Sequence, residues 1–346
     1  MSLAWCPGET VPGEKPLAND VVRVAQFQGD RPGAISYTFD DGLRNQYLLA
    51  APILDDLGLR ATFFIVPNCV TNTRAEAESK KSGDMGGVSW DELRELAAKG
   101  HEIGNHTWGH WLPKDDDVKA EEQLSKADQK IEQEIGVFPL SFCYPGNDRD
   151  PHRRELVLRH HVEAREYETR MGHEHTTPDW LNAWADRQAA EHKWGVAMIH
   201  GLIDGFDPIN PDVLRAHLTY VKKQNSNLWV DTFGNIARYV RERDSTRIRL
   251  ISQTGRSATF VLDTPLSRPP FVVPLTVLIT APDVVAAVAK SGGRSLPCTV
   301  GQGTVQIECV PSADAINVTW QTKEDHLTDN TPRNIKGPLF SAQCLP

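Results

Sequence analysis

The sequence predicts an α/β barrel of seven or eight units followed by a small all-β domain of the sandwich type. From about residue 35 to 243, short β-rich runs alternate with segments of helical period, which indicates parallel strands joined by crossover helices. After about Ser245 the strand-like runs follow one another without helices and are broken by Gly and Pro, which is typical of an antiparallel sandwich. A length of 346 residues is enough for two such domains.

Seven strands are predicted in the barrel, at residues 35–39, 61–66, 101–104, 140–144, 162–167, 195–200 and 227–231. Helices are predicted between them, near residues 51–58, 90–99, 117–135, 151–160, 180–192, 212–224 and 233–243. Ser89 followed by Glu92 forms a capping-box pattern, and Gly100 stands where a glycine commonly ends a helix. The polar stretch from Thr71 to Gly87 is too long for an ordinary connection and predicts a rim loop over a site.

Three segments are therefore expected: an N-terminal extension, 1–33, that packs on the barrel, the barrel itself at 34–244, and the β domain at 245–346. The formal net charge of -9 provides no basic field, which argues against a nucleic acid partner. No run approaches the roughly 18 apolar residues that cross a bilayer, so no membrane span is predicted. The sequence leaves the oligomeric state open.

The six cysteines lack the paired spacing of a zinc ribbon; they are Cys6, Cys69, Cys143, Cys298, Cys309 and Cys344. Cys298 and Cys309 flank a Gly-rich turn between two strand-like runs, which predicts a hairpin disulfide and favours an oxidising compartment. Six reduced thiols in a cytosolic protein are the alternative. Met1, Ser2 and Leu3 resemble an expression start placed on a mature N-terminus, so we expect an extracellular, periplasmic or cell-wall protein whose export signal is missing.

Two adjacent carboxylates follow the first predicted barrel strand, in the run Thr38-Phe39-Asp40-Asp41-Gly42. Adjacent residues at a strand end point in different directions, so one carboxylate can ligate a metal while the other takes a proton from water. For this string alone, an ordinary Asp-Asp-Gly turn is the alternative.

His106 and His110 lie just past the third predicted strand, four residues apart. If the segment makes a helical turn, this spacing puts both rings on one face, which is a metal-binding geometry. His101 begins the strand and is expected to be structural. Together with one of the two adjacent carboxylates, the histidines make an open set of three ligands that leaves water on the ion, which is the pattern of catalytic zinc.

Two further groups of residues stand at strand ends. The run Met198-Ile199-His200-Gly201 brings His200 to the end of a strand, where it is either a proton donor to a leaving group or an ordinary core histidine. The turn from Phe142 to Asn147 contains Tyr144 and Gly146 as candidate oxyanion or substrate contacts, or is a plain Pro-Gly turn. Barrel enzymes build their sites at the carboxyl ends of their strands, which favours function for all four groups.

In this order, the Thr-Phe-Asp-Asp-Gly, His-Thr-x-x-His, Tyr-Pro-Gly and Met-x-His motifs resemble the polysaccharide deacetylase family, the fourth carbohydrate esterase group, over about residues 34–243. The resemblance implies a distorted barrel of parallel strands and hydrolysis of N-acetyl or O-acetyl groups on a glycan, with N-acetyl preferred. It also implies one divalent metal ion, Zn first, with Co, Ni or Mn as alternatives.

By position, the resemblance implies that Asp40 is the base, that Asp41, His106 and His110 are the metal ligands, and that His200 is the general acid. The chain also departs from the family pattern. Many members place an arginine in the third motif to orient the base, whereas this chain has Phe142 and Cys143 near that place. The usual Asp-x-x-Asp-Trp motif is not evident, and Thr177-Pro-Asp-Trp180 is a loose candidate for it.

The Phe-x-Tyr-Pro turn resembles that of a divergent branch of the family with a wider substrate range, so two alternatives stay open. One is hydrolysis of a non-sugar amide or cyclic ureide by the same kind of site. The other is carbohydrate binding without catalysis on a deacetylase scaffold. The β domain favours a polymeric substrate, since enzymes of small substrates seldom carry one.

Overall fold

The computed structural model describes residues 21–172, 176–266 and 269–328. Contacts divide the chain into two compact units. One comprises Val24–Thr246 and Thr264–Thr276, and the other comprises Arg247–Asp263, the residues from Val277 onward and those before Val24. The division into three segments, 1–33, 34–244 and 245–346, stays a prediction. Residues 1–20 of the first segment lie outside the described residues.

The unit that contains the predicted barrel is built on a curled sheet of parallel strands. The first strand of the chain, β1 (Val22–Val24), belongs to a different sheet that is described below. The strands of the curled sheet are β2 (Gly33–Phe39), β3 (Thr62–Ile65), β4 (Glu102–Asn105), β5 (Ser141–Phe142), β6 (Glu163–Ala164), β7 (Thr169–Arg170), β8 (Trp194–Ile199) and β9 (Leu228–Val230). The order in the sheet is β6-β5-β4-β3-β2-β8-β7, with β9 paired to the start of β2. The α/β class and the distorted barrel are confirmed, and the barrel is open between its edge strands β6 and β7.

The strand count differs from the prediction at this opening. The predicted strand 162–167 is only two residues long, and β7 is an additional short strand that pairs with Ala197 and Met198 of β8. The residues between these two strands belong to neither, and one of them, Arg165, is buried with its side chain on Thr38 and Asp40. A run of β-rich residues in the sequence therefore covers both a strand and a break.

Helices connect the strands, and all of those that follow except α2 are predicted from the sequence. They are α1 (Ala51–Leu57), α2 (Arg74–Ser79), α3 (Trp90–Ala98), α4 (Asp117–Ile135), α5 (Pro151–Val157), α6 (Pro178–Ala190), α7 (Pro211–Lys223) and α8 (Phe233–Ser245). The capping box of Ser89 and Glu92 is present at the start of α3, and Gly100 has a φ of 88° after its end, as predicted. Within the described part of the chain, no helix combines the length and apolar character needed to cross a membrane.

The face of the sheet that packs on helices α1, α3, α6 and α7 is covered by an apolar core that reaches to the end of β2. All seven residues of β2 are buried, and Phe39 at its end stacks on Phe63 of β3 with ring centroids 5.0 Å apart. Burial of an aromatic side chain of this size contributes roughly 2–3 kcal/mol. The residues that follow Phe39 therefore leave the core at a defined point, on the carboxyl edge of the sheet.

The other unit consists mainly of antiparallel strands, as predicted. They are β10 (Arg247–Thr254), β11 (Ser257–Asp263), β12 (Leu275–Thr280), β13 (Val284–Ser291), β14 (Arg294–Leu296), β15 (Cys298–Gly301), β16 (Thr304–Cys309) and β17 (Ser312–Thr322), followed by helix α9 (Lys323–Thr328). One sheet has the order β10-β11-β17-β13-β14 and the other β1-β12-β16-β15. Inward residues alternate along β17, where Ile316, Val318 and Trp320 are buried.

The predicted disulfide between Cys298 and Cys309 is wrong for this structure, in which both are free thiols. The register of the hairpin gives the reason, because Cys298 pairs with Ile307 and Cys309 lies two residues further along β16. Such diagonal neighbours typically have Cβ atoms about 7 Å apart, whereas a disulfide needs about 4 Å. Cys69 and Cys143 are free as well, and Cys6 and Cys344 lie outside the described residues.

Candidate metal centre and active site

The turn after β2 places the two adjacent carboxylates. Asp41 and Gly42 both adopt left-handed backbone conformations, with φ of 72° and 63°. The end of the predicted rim loop holds this turn, because Gly86 N–H donates to Asp41 O at 2.8 Å and Val88 N–H donates to Gly42 O at 3.2 Å. The turn sends the side chains of Asp40 and Asp41 to different partners, as the sequence predicts.

The carboxylate of Asp41 faces both predicted histidines. Its Oδ1 lies 3.4 Å from His106 Nε2 and 3.2 Å from His110 Nε2, and the three potential ligand atoms lie within 4.8 Å of one another. The same Oδ1 is buried and accepts no hydrogen bond from the described residues. A buried carboxylate oxygen without a donor, flanked by two imidazole nitrogens, fits a divalent cation.

The electrostatics of this cluster also suit a cation. His106 is buried, and its Nδ1 donates to Cys143 O at 2.8 Å, so the ring is oriented with Nε2 towards Asp41. Burial raises the pKa of Asp41, but His106 and His110 lower it more, so its net pKa lies well below the usual value. An ionised carboxylate and neutral imidazoles are the forms that bind metal ions.

The segment that carries the two histidines is an irregular loop, so the helical turn considered from the sequence is wrong. Thr107 and His110 have φ of 66° and 59°, and the loop is fixed by Thr107 N–H donating to Asn105 Oδ1 at 2.6 Å. Trp111 N–H donates to Thr107 Oγ1 at 2.9 Å. The two imidazoles nevertheless meet, with centroids 4.9 Å apart, because these bonds bend the loop back on itself.

A buried carboxylate on α4 supports this loop. Asp128 Oδ1 accepts from Asn105 Nδ2 at 2.6 Å and lies 2.9 Å from His161 Nε2, while the side chain is 1% exposed. Asp128 therefore orients the amide of Asn105, whose oxygen in turn holds the backbone of Thr107. The sequence analysis missed Asp128, since nothing in its helical position marks it.

Asp40 faces the other side of the turn and is held by Arg165, which the sequence analysis also missed. Arg165 Nη1 donates to Asp40 Oδ1 at 2.8 Å and Nη2 donates to Oδ2 at 2.6 Å. Nη1 also donates to Thr38 Oγ1 at 2.7 Å. Burial raises the pKa of Asp40, but Arg165, His106 and His200 together bring it below its usual value, so the carboxylate is ionised.

His200 lies on the same side as Asp40, with Nε2 3.9 Å from Asp40 Oδ2. The buried amide of Gln46 ties the two strand ends together, because its Nε2 donates to Asp40 O at 2.6 Å and to His200 O at 2.9 Å. The edge of the His200 ring contacts Phe206 with centroids 5.0 Å apart. The structure thus brings together Asp40, Asp41, His106, His110 and His200.

The turn after β5 contributes less than its motif suggests. The side chain of Tyr144 is buried in the core, and its hydroxyl donates to Glu166 Oε1 at 3.0 Å, so only its backbone is available to a ligand. Gly146 is exposed with a φ of 62°. Cys143 is buried, and its thiol lies 3.7 Å from Asp40 Oδ2. In the run Thr177-Pro-Asp-Trp180, the loose candidate for the Asp-x-x-Asp-Trp motif, Thr177 caps helix α6 by accepting from Trp180 N–H.

Comparisons with known proteins find a similar family, similar sequences and similar solved structures. The family model for polysaccharide deacetylase matches residues 28–164. A gellan lyase of Bacillus sp is 21% identical over 95% of this chain and 14% of its own length, and a chitin deacetylase of Colletotrichum lindemuthianum is 33% identical over 28% of this chain and 35% of its own length. The chain thus spans well under half the length of these curated relatives. The solved structure of the peptidoglycan deacetylase PdaC from Bacillus subtilis is 20% identical, covers 62% of this chain and 94% of that one, and gives a TM-score of 0.39.

Proposed function

Since residues 28–164 belong to the polysaccharide deacetylase family, we propose that this chain is a metal-dependent hydrolase that removes acetyl groups from a polysaccharide or oligosaccharide. The observation that carries the proposal is the division of the two adjacent carboxylates. Asp41 faces two imidazoles, whereas Asp40 faces Arg165 and His200. One carboxylate is thus arranged to hold a cation and the other to move a proton.

Asp41, His106 and His110 would hold the divalent ion, which we expect to be Zn²⁺, with Co, Ni or Mn as alternatives. Three protein ligands leave an open position, as in catalytic zinc sites. When bound, such an ion polarises the carbonyl of the acetyl group and lowers the pKa of water. The hydrogen bond from His106 Nδ1 to Cys143 O would orient the ring so that Nε2 meets the ion.

Asp40 is the proposed general base. Arg165 keeps it ionised and fixes its plane, while each carboxylate oxygen retains a second lone pair that can accept a proton from water. The water oxygen attacks the carbonyl carbon as its proton passes to Asp40. Backbone N–H groups of the turn that contains Tyr144 and Gly146 are the proposed donors to the oxyanion.

His200 is the proposed general acid. It stands 3.9 Å from Asp40 Oδ2 and its side chain is 13% exposed, so a leaving group could approach its ring. Its proton passes to the leaving nitrogen or oxygen as the bond to the carbonyl carbon breaks, which gives acetate and a free amine or hydroxyl. We favour N-acetyl groups on an acetylated glycan, and we propose an extracellular, periplasmic or cell-wall location in which such polymers occur.

An acetate-release screen over chitooligosaccharides, peptidoglycan and acetylated xylan tests this proposal. We expect release from at least one glycan, loss of release with a chelator, and recovery when Zn²⁺ is added back. Asp40→Asn serves as the inactive control. Glycan binding without acetate release would indicate a carbohydrate-binding protein, and formation of the ring-opened ureido acid from a cyclic ureide would indicate the other alternative; either result would contradict the proposal.

A further inference from the structure

The loop that follows His200, from Gly201 to Ile209, exposes two large apolar side chains beside the proposed acid. Ile203 is 69% exposed and Phe206 is 61% exposed. Isolated apolar residues on a surface are ordinary, but these two stand on one short loop next to a catalytic group. The steps proposed above assign them no role.

This loop is held in place by contacts to two other segments at the rim. Asp204 Oδ1 accepts from Asn45 Nδ2 at 2.5 Å, and its Oδ2 accepts from Ser82 Oγ at 3.0 Å. The backbones of Gly83 and Gly205 approach so closely that a Cβ on Gly83 would lie 2.5 Å from Gly205 N. The exposure of the two apolar side chains is therefore built into a fixed loop.

The backbone of the loop is strained where it presents Ile203. This residue has a φ of 72°, which a β-branched side chain strongly disfavours. The loop is closed by Gly201 N–H donating to Phe206 O and by Ile209 N–H donating to Gly201 O, at 3.2 and 2.9 Å. Strain of this kind persists only where surrounding contacts enforce it, and it concentrates at sites that bind or react.

Phe206 is anchored on both sides without being covered. The rings of Phe206 and His200 meet edge to face, with centroids 5.0 Å apart and an interplanar angle of 83°. The guanidinium of Arg170 lies 5.1 Å from the Phe206 centroid and pairs with the carboxylate of Asp207. The position of the ring is thus fixed, while most of its surface remains open to solvent.

We propose that Ile203 and Phe206 form an apolar platform, the 203/206 platform, that binds a pyranose ring next to the sugar whose acetyl group is hydrolysed. The C–H groups of a pyranose ring pack well on an aromatic or branched aliphatic surface, and a fixed surface loses little entropy on binding. The platform would explain how a glycan chain is positioned beside His200. The inference rests on the proposed function for the identity of its ligand.

Binding to an inactive enzyme tests the platform without depending on acid catalysis. In the Asp40→Asn background, the dissociation constants of chitopentaose and of an acetylated xylopentaose are measured by calorimetry. Phe206→Ala should raise the constant of the glycan that binds by about five- to tenfold, as expected for loss of one ring contact. Phe206→Tyr should stay within about twofold of the parent, and Ile203→Asn, which tolerates the left-handed backbone, should weaken binding by a smaller factor than Phe206→Ala.

Val137→Ser is the matched control, since Val137 is 63% exposed on the turn after α4 and should leave binding unchanged. Equal affinities of the Phe206→Ala variant and its parent would overturn the platform. Failure of both glycans to bind would overturn it as well. Phe206→Ala is also made in the otherwise wild-type enzyme. If this variant loses kcat while affinity in the Asp40→Asn background is unchanged, Phe206 acts only through His200, and the platform is overturned. If Phe206-dependent binding occurs but the wild type releases no acetate, the platform stands and the proposed function fails.

Discussion

Arg165 binds the carboxylate of Asp40 through two hydrogen bonds, one to each oxygen, although it lies 125 residues away along the chain. The guanidinium reaches Asp40 from the residue after β6 and is fully buried. Many members of the family that this chain resembles place the arginine that orients the base in the motif that here reads Phe-Cys-Tyr-Pro. Here Phe142 and Cys143 stand near that place, and Arg165, just after the neighbouring strand, supplies the positive charge.

Replacement of Arg165 by Lys should therefore impair the base without removing it. A lysine cannot bind both carboxylate oxygens in one plane, so we expect kcat/KM to fall by about 10- to 100-fold. Arg165 lowers the pKa of Asp40, and the weaker partner should let this pKa rise. Because the base must be ionised, the acidic limb of the pH–rate profile should then move to higher pH.

The exposed Arg215, which pairs with Asp56, provides the control for this experiment. Arg215→Lys should leave both the rate and the acidic limb unchanged. An acidic limb that stays in place in Arg165→Lys would show that Arg165 does not set the ionisation of the base.

The contrast between Arg165 and the predicted site residues shows what the sequence could reveal. Asp40, Asp41, His106 and His110 stand in short motifs at strand ends, and strand ends can be recognised from local periodicity. Arg165 stands in no motif, and its strand is only two residues long. Its role depends on which strand lies beside β5, which is a property of the sheet order and not of the local sequence.

The distinction between local sequence and sheet pairing also explains the other differences between the predictions and the structure. Helix α2 was missed because its six residues lie in a polar, glycine-bearing stretch, where Thr73 supplies a cap by accepting Glu76 N–H. The proposed Cys298–Cys309 bond failed on a register that is set by the turn between β15 and β16. Such features depend on pairing and packing, so spacing alone could not give them.

Removal of both histidine ligands should abolish metal binding. We expect the double variant His106→Ala, His110→Ala to lose the ion, because these residues supply two of only three protein ligands. Asp40→Asn should retain it, since the carboxylate of Asp40 is bound by Arg165, whereas that of Asp41 faces His106 and His110. Elemental analysis of the purified proteins measures both, and full metal content in the double variant would contradict the assignment.

Asp128 offers a test of the support behind the metal ligands. Asp128→Asn should lower metal affinity by about 10-fold, as is common for residues that orient ligands. The loss of charge weakens the hydrogen bond that Asp128 accepts from Asn105 Nδ2, whereas the metal ligands themselves remain. Competition with a chelator measures the affinity, and saturating metal should restore most of the activity. Glu134→Gln is the control, because Glu134 lies on the same helix but pairs with Arg94 and Lys130, and this variant should bind metal normally.

His217 predicts how stability depends on pH. It is buried, with Tyr37 Oη 2.7 Å from Nε2 and Asn182 Oδ1 3.0 Å from Nδ1, an arrangement that suits the neutral ring. Burial lowers the pKa of His217 to about 4. In the unfolded chain, His217 gains a proton as pH falls below about 6.5, whereas in the folded chain it does not until about pH 4. The free energy of unfolding should therefore fall by about 3 kcal/mol across that window.

Urea unfolding at pH 7 and pH 4.5 measures this effect. His217→Gln removes the titrating ring and should flatten the decline in the free energy of unfolding, while a smaller decline from the buried His101, whose pKa burial also lowers, should remain. His152→Gln is the control, because that side chain is exposed and should leave the decline as it is. A decline that is unchanged in His217→Gln would show that His217 does not carry it.

The last prediction separates the two proton-transfer roles. Asp40→Asn should lower turnover by about 10² to 10⁴ on every substrate, because attack by water always needs a base. His200→Ala should lower it by a similar factor on N-acetyl glycans but much less on aryl acetates, whose leaving groups depart without a proton. Rates of both variants on a chitooligosaccharide and on 4-nitrophenyl acetate measure the contrast, with metal content checked in each. Equal losses by His200→Ala on the two substrates would mean that His200 does not protonate the leaving group. The opposite contrast, in which Asp40→Asn spares the aryl ester, would exchange the roles, because only the residue that serves the leaving group can become dispensable when that group is improved.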